Sequence, residues 1–151
     1  MVAGAMMPTI VQRSKICMAQ PTLLLIAEHP QFAYLIRRYS EQAGCHVVGA
    51  ESADQARAWL AEHTPAMVFL HLGSWPHQGW SLLGQIRQHC ADEAIPITVI
   101  GSLADEARAR AEGARFWLWQ PVMYPDFLAV LRAGQVAAAA LDAPAPPRRP
   151  S

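Results

Sequence analysis

Residues 66–80 read AMVFLHLGSWPHQGW, and the change of character within this stretch decides the fold. Met67, Val68, Phe69 and Leu70 form an unbroken apolar run. The run meets a polar ring at His71 and then breaks into a loop holding Gly73, Ser74, Pro76 and Gly79. An apolar run of this length between turn residues predicts a strand buried on both faces. In an open α/β sheet, binding and chemistry sit just beyond the carboxyl end of such a strand. His71 occupies that place, so what the chain can do turns on its imidazole.

Outward from this strand the pattern is regular. Further apolar runs at 22–27, 46–50, 97–101 and 114–119 join 66–72 as predicted strands. Between them lie segments with helical spacing. Residues 31–43 place Phe32, Leu35, Ile36 and Tyr39 on one stripe, and 53–63 place Ala56, Trp59 and Leu60 together. Residues 80–90 do the same with Leu82, Leu83 and Ile86, and 126–140 with Phe127, Leu128, Val130 and Leu131. The segment 103–112 is alanine-rich and charged, with a thin apolar face. Pro30 and Pro125 suit the first helical position, where the missing N–H does no harm. Ser52 followed by Gln55 predicts a capping box, and Ser102 followed by Asp105 has the same form. Gly44 and Gly113 stand where helices would end in a left-handed residue. Strands alternating with helices imply a doubly wound parallel sheet covered on both faces, and right-handed crossovers favour the order 2-1-3-4-5.

Composition narrows the function classes. A chain of 151 residues suits one domain with a real core. Twelve basic residues balance twelve acidic ones, which speaks against a nucleic-acid interface and against an anionic membrane as partner. Cys17, Cys45 and Cys90 are odd in number and widely spaced, so reduced thiols in a cytoplasmic protein are expected rather than a disulfide framework or a zinc knuckle. No apolar run approaches the roughly 20 residues of a membrane span. Residues 1–20 lack periodicity and hold Lys15, the only lysine, which suggests an extension foreign to the domain with Met18 as the natural start. The domain is placed at 21–140. Residues 141–151 close the chain as a proline-rich tail, in which DAPAPPRRPS cannot continue a helix.

Taken in order, the motifs resemble the receiver domain of response regulators, the chemotaxis-regulator-like (βα)5 fold, from about Thr22 to Gly134. LLLIAEHP looks like the family's first strand with its acidic end, and PAMVFLHL like the third strand that ends in the phosphorylated aspartate. Gly79 fits the glycine that opens helix 3, PITVIGS the fourth strand with its terminal hydroxyl, and EGARFWLWQPV the stretch with a lysine–proline pair. The resemblance implies phosphoryl transfer to an aspartate, with Mg²⁺ held by the acidic pair and the acceptor. A lysine and a hydroxyl would stabilise the phosphoryl oxygens. By position, the acidic pair falls on Ala27 and Glu28, and the acceptor on His71. The hydroxyl falls on Gly101, with Ser102 one residue late, and the lysine on Gln120, before Pro121. Four of these five positions lack the required group. The expectation is therefore a pseudo-receiver with a degenerate pocket, no cofactor and no enzymatic activity, acting in two-component or phosphorelay signalling through protein contacts. The resemblance also places a partner surface on helix 4, strand 5 and helix 5, with Trp117, Trp119, Ala107 and Arg108, for a signalling protein or a second copy. The plainer alternative is that both indoles pack under helix 4.

Other readings of the same residues stand beside this one. An imidazole is a nucleophile, so His71 could accept a phosphoryl group itself; the plain alternative is a satisfied, partly buried ring. Glu28, His29, His71 and His77 could form a metal- or ligand-sensing cluster at the carboxyl ends of strands 1 and 3, although no metal is assigned. Trp75 could cover the pocket. An enzyme of another flavodoxin-like family is disfavoured, because AEHP replaces a glycine-rich phosphate loop and no nucleophile elbow is present.

Overall fold

The computed structural model describes residues 20–75, 78–91 and 94–136. Five parallel strands, β1 (Thr22–Ile26), β2 (His46–Ala50), β3 (Met67–His71), β4 (Ile97–Gly101) and β5 (Phe116–Trp119), form one sheet in the order β2-β1-β3-β4-β5. The helices are α1 (Pro30–Gln42), α2 (Ala53–Glu62), α3 (Gly79–Ala91), α4 (Glu106–Ala111) and α5 (Tyr124–Ala133). This is the doubly wound arrangement expected from the alternating pattern.

The sheet separates two apolar layers, because successive strand residues point to opposite faces. On one face Leu23, Leu25, Met67 and Phe69 pack against Phe32 and Ile36 of α1 and Phe127 and Leu131 of α5. On the other, Leu24, Ile26, Val68 and Leu70 pack against Leu60 of α2, Leu83 and Ile86 of α3, and Ala109 of α4. Every residue of β3 and β4 is buried, as the continuous apolar runs require. Edge strand β2 instead exposes His46 and Gly49.

Several boundaries differ from the sequence expectation. Leu72 leaves β3 for a 3₁₀ turn, Leu72–Ser74, because the chain must turn away from the sheet at Gly73. Residues 103–112 are not one helix: a 3₁₀ turn, Leu103–Asp105, precedes the six-residue α4. Ser102 does not cap it by a bond to the backbone; its hydroxyl donates to Asp105 Oδ2 at 3.2 Å. Helix α5 begins two residues earlier than expected, so Pro125 is its second residue. It ends at Ala133 rather than Ala140, as the backbone turns left-handed at Gln135, φ +60°. Residues 137–140, and the extension and tail expectations, lie outside the described residues. Ser52 does cap α2, accepting from the Gln55 N–H at 3.1 Å, but the reciprocal bond goes from the Glu51 N–H to Gln55 Oε1. Gly44 and Gly113 are left-handed as expected, at φ +83° and +108°.

Candidate functional site at the carboxyl ends of the strands

The strand ends collect the residues singled out by the sequence. Ala27 follows β1, His71 ends β3, Gly101 ends β4, and Gln120 follows β5. Ala27 is buried and its N–H donates to the Ala50 carbonyl, so it completes the sheet rather than offering a ligand. Glu28 is exposed. Gln120 is tied to β4 through its N–H, which donates to the Gly101 carbonyl at 3.3 Å. The topology thus brings the five positions to one end of the sheet, as parallel strands must.

His71 is 4% exposed. Its ring lies nearly parallel to Phe32 of α1, with centroids 4.1 Å apart, and meets His29 edge-on at 6.3 Å. Nδ1 lies 2.8 Å from Ser74 Oγ, and that oxygen accepts the Glu28 N–H at 2.8 Å. The Ser74 hydroxyl can donate to Nδ1 while accepting from Glu28, or accept from both N–H groups, so either imidazole tautomer satisfies the contact. Nε2 is buried and, among the described residues, makes no hydrogen bond of good geometry. Burial pushes the His71 pKa below its ordinary value of 6.5; the nearby Gln120 side chain opposes this, and His29 adds to it. The ring is therefore neutral at neutral pH. One nitrogen is engaged by Ser74 and the other is enclosed.

Beside this ring lies a cleft of about 310 Å³, lined by Gly73, Trp75, Trp80, Ser102, Asp105 and Gln120 among others. Trp75 also lines a second cleft, which holds Glu28. The indole thus borders both spaces. Trp80 is half-buried, with the Arg108 guanidinium 4.2 Å from its ring centre. At Gly101, where the resemblance puts a hydroxyl, a Cβ would come within 3.1 Å of Trp117 Cη2 and 3.6 Å of Leu72 Cδ1. The indole of Trp117 fills the space a side chain at Gly101 would need.

The proposed surface residues separate. Trp117 is 8% exposed and packs in the core layer beneath α4, so as an accessible surface residue it is corrected by its burial. Trp119 is 57% exposed, and its indole N–H donates to Glu106 Oε1 at 2.9 Å. Ala107 and Arg108 are exposed on α4, with Arg108 bonded to Glu112 at 2.6 Å. For the metal reading, His77 lies outside the described residues, and among the described residues no three His, Cys, Asp or Glu side chains group to hold an ion. Ser74 and Phe32, which fix the imidazole, went unassigned to the site. Ser74, three residues after His71 in a glycine loop, was the available signal.

No family model matches the chain. In sequence it is similar to the transcriptional regulatory protein KdpE of Mycobacterium tuberculosis, 30% identical over 125 residues, covering 81% of this chain and 55% of that protein. The chain therefore spans about half the length of the curated relatives it matches. Among solved structures it is similar to a response regulator receiver protein from Pseudomonas putida, with TM-score 0.65, 24% identity, and 76% and 98% of the two chains covered. A two-component response regulator from Clostridium difficile gives TM-score 0.68 at 18% identity over 77% and 96%. The chemotaxis protein CheY4 of Vibrio cholerae gives 0.67 at 18% over 76% and 98%. Sheet order, helix placement and these likenesses agree: the chain has the fold of the response-regulator receiver domain.

Proposed function

We propose that this chain is a receiver-type signalling module of a two-component system that is not switched by phosphorylation. On this reading it acts through protein contacts, as a regulatory element in the cytoplasm rather than as an enzyme. The observation that carries the reading is the acceptor position. A buried, neutral imidazole stands there, held by Ser74 and stacked on Phe32, where the reaction needs an exposed carboxylate. Around it, Ala27, Gly101 and Gln120 supply neither the second acid, the hydroxyl nor the cation. Glu28 alone offers one carboxylate to an ion that prefers octahedral oxygen coordination.

Trp117 supports a fixed conformation. In a switching receiver the phosphoryl group draws a hydroxyl and lets an aromatic side chain move. Here the aromatic side chain already fills the space at Gly101, which supports the reading that no such movement takes place. Contacts would then use the exposed part of the α4–β5–α5 face, centred on Trp119, Ala107 and Arg108. A Mg²⁺ titration followed by tryptophan emission tests the pocket, since Trp75 lines the cleft that holds Glu28. A flat response is expected, and saturable quenching would overturn the reading. Affinity capture compared between the native chain and Trp119→Ala tests the face: loss of a partner supports it, and unchanged capture removes it.

A further inference from the structure

Along the free edge of β5, flanked by α4 and α5, runs a groove of about 360 Å³. Its lining includes Glu106, Arg110, Trp117, Trp119, Asp126 and Val130. Trp119 is fixed at its rim by the bond to Glu106, so a large aromatic surface is held out to solvent without the entropy of a free rotor. Trp117, also in the lining, carries a buried indole N–H with no hydrogen-bond partner among the described residues. The one basic residue named in the lining, Arg110, is bonded to Glu106 at 3.0 Å. Glu106 and Asp126 outnumber Arg110 in the lining, so the balance of the groove is acidic.

We propose that the proline–arginine segment of this same chain, residues 144–151 (PAPPRRPS), docks in this groove. Its prolines would lie on the Trp119 indole, and Arg148 and Arg149 would face Glu106 and Asp126. Proline-rich chain is preset in an extended helix, so it loses little entropy on docking, and aromatic-lined grooves are what such segments fit. The charges are complementary: the segment holds two arginines and no acid. The reach suffices. The eight residue-to-residue steps from Val136 to Pro144 can span roughly 25 Å in extended form, against roughly 15 Å for the ten-residue α5 along which the chain must return. Tethering raises the local concentration into the millimolar range, so a contact too weak to persist between molecules holds within one. A second copy fits less well, because it would set the same acids against themselves. The inference is separate from the partner reading; if both hold, the tail covers the surface a partner would use.

The test compares nitrogen–proton NMR spectra of the native chain and a full-length variant carrying Arg148→Glu, Arg149→Glu, Pro144→Ser, Pro146→Ser and Pro147→Ser. All five changes lie in the tail and leave the core intact. The Trp119 indole signal, identified with Trp119→Phe, and the amide signals of Arg110 and Asp126 are expected to shift more than any others outside the tail. Adding a peptide of residues 141–151 to the variant should move them back toward their native positions. Spectra that superpose outside the tail would overturn the proposal, as would shifts confined to another face. Native signals that move with concentration alongside sedimenting dimers would also overturn it, and would give the groove to a second copy.

Discussion

At the scale of single residues, His71 makes a specific demand on pH. Its folded-state pKa lies below the ordinary 6.5, so the unfolded chain binds the proton more readily. Stability therefore rises with pH through the window between the depressed value and 6.5, is fully present above it, and is lost as acid is added. Urea midpoints measured from pH 8 to pH 5 should fall below about pH 6.5. His71→Asn should be less stable at pH 8 but lose that slope; an unchanged slope would show that another group titrates. Gly101 makes a steric demand. Gly101→Thr, which supplies the hydroxyl implied by the resemblance, puts a Cβ 3.1 Å from the Trp117 ring and must displace it. The expected cost is about 1–3 kcal/mol, the range of an overpacked core, read as a lower urea midpoint with a red shift that Trp117→Phe abolishes. Neutral stability in Gly101→Thr would mean that the indole is free to move.

Among the elements, the caps carry the local specificity. Ser52→Ala removes the oxygen that accepts the Gln55 N–H and should cost about 1 kcal/mol in chemical denaturation. Gly113→Ala faces both a backbone at φ +108° and a clash of the new Cβ with the Arg87 side chain. A loss of at least about 1 kcal/mol is expected there, whereas Gly84→Ala, whose Cβ meets open space, should be no less stable. These elements were legible in the sequence where a long apolar period coincided with a cap, as at α1 and at Ser52. They were not legible at 103–112, where alanine and alternating charge satisfy a helix and a tighter turn equally well. Nor was the end of α5, because the alanines after Val136 extend a helical composition past the point where Gln135 turns left-handed. The Trp117 ring lies against Gly101, diagonally across from it on β4, because β5 pairs Trp117 with Val99 and Trp119 with Gly101, a register that spacing within one strand does not express.

For the whole molecule, parallel pairing of five short strands gathers Ala27, His71, Gly101 and Gln120 at one end, which is why their types could be compared position by position before any coordinates. The side-chain network there was not readable in the same way. Ser74 and Phe32 reach His71 from a turn and from α1, and only the packed sheet brings them together. Tyr39 adds a longer link, its hydroxyl donating to the Val122 carbonyl at 3.0 Å and joining α1 to the β5–α5 connection. Among the described residues no helix is long and apolar enough to cross a membrane. The molecule thus keeps the receiver scaffold; on the reading proposed above, a neutral, hydrogen-bonded ring stands where the scaffold's reaction would need a charged and accessible one. The most direct test is intact mass spectrometry of the purified chain after incubation with acetyl phosphate and Mg²⁺, sprayed at neutral pH to preserve labile adducts. The native chain should keep its mass unchanged, whereas a phosphoryl adduct lost in His71→Asn would contradict the account.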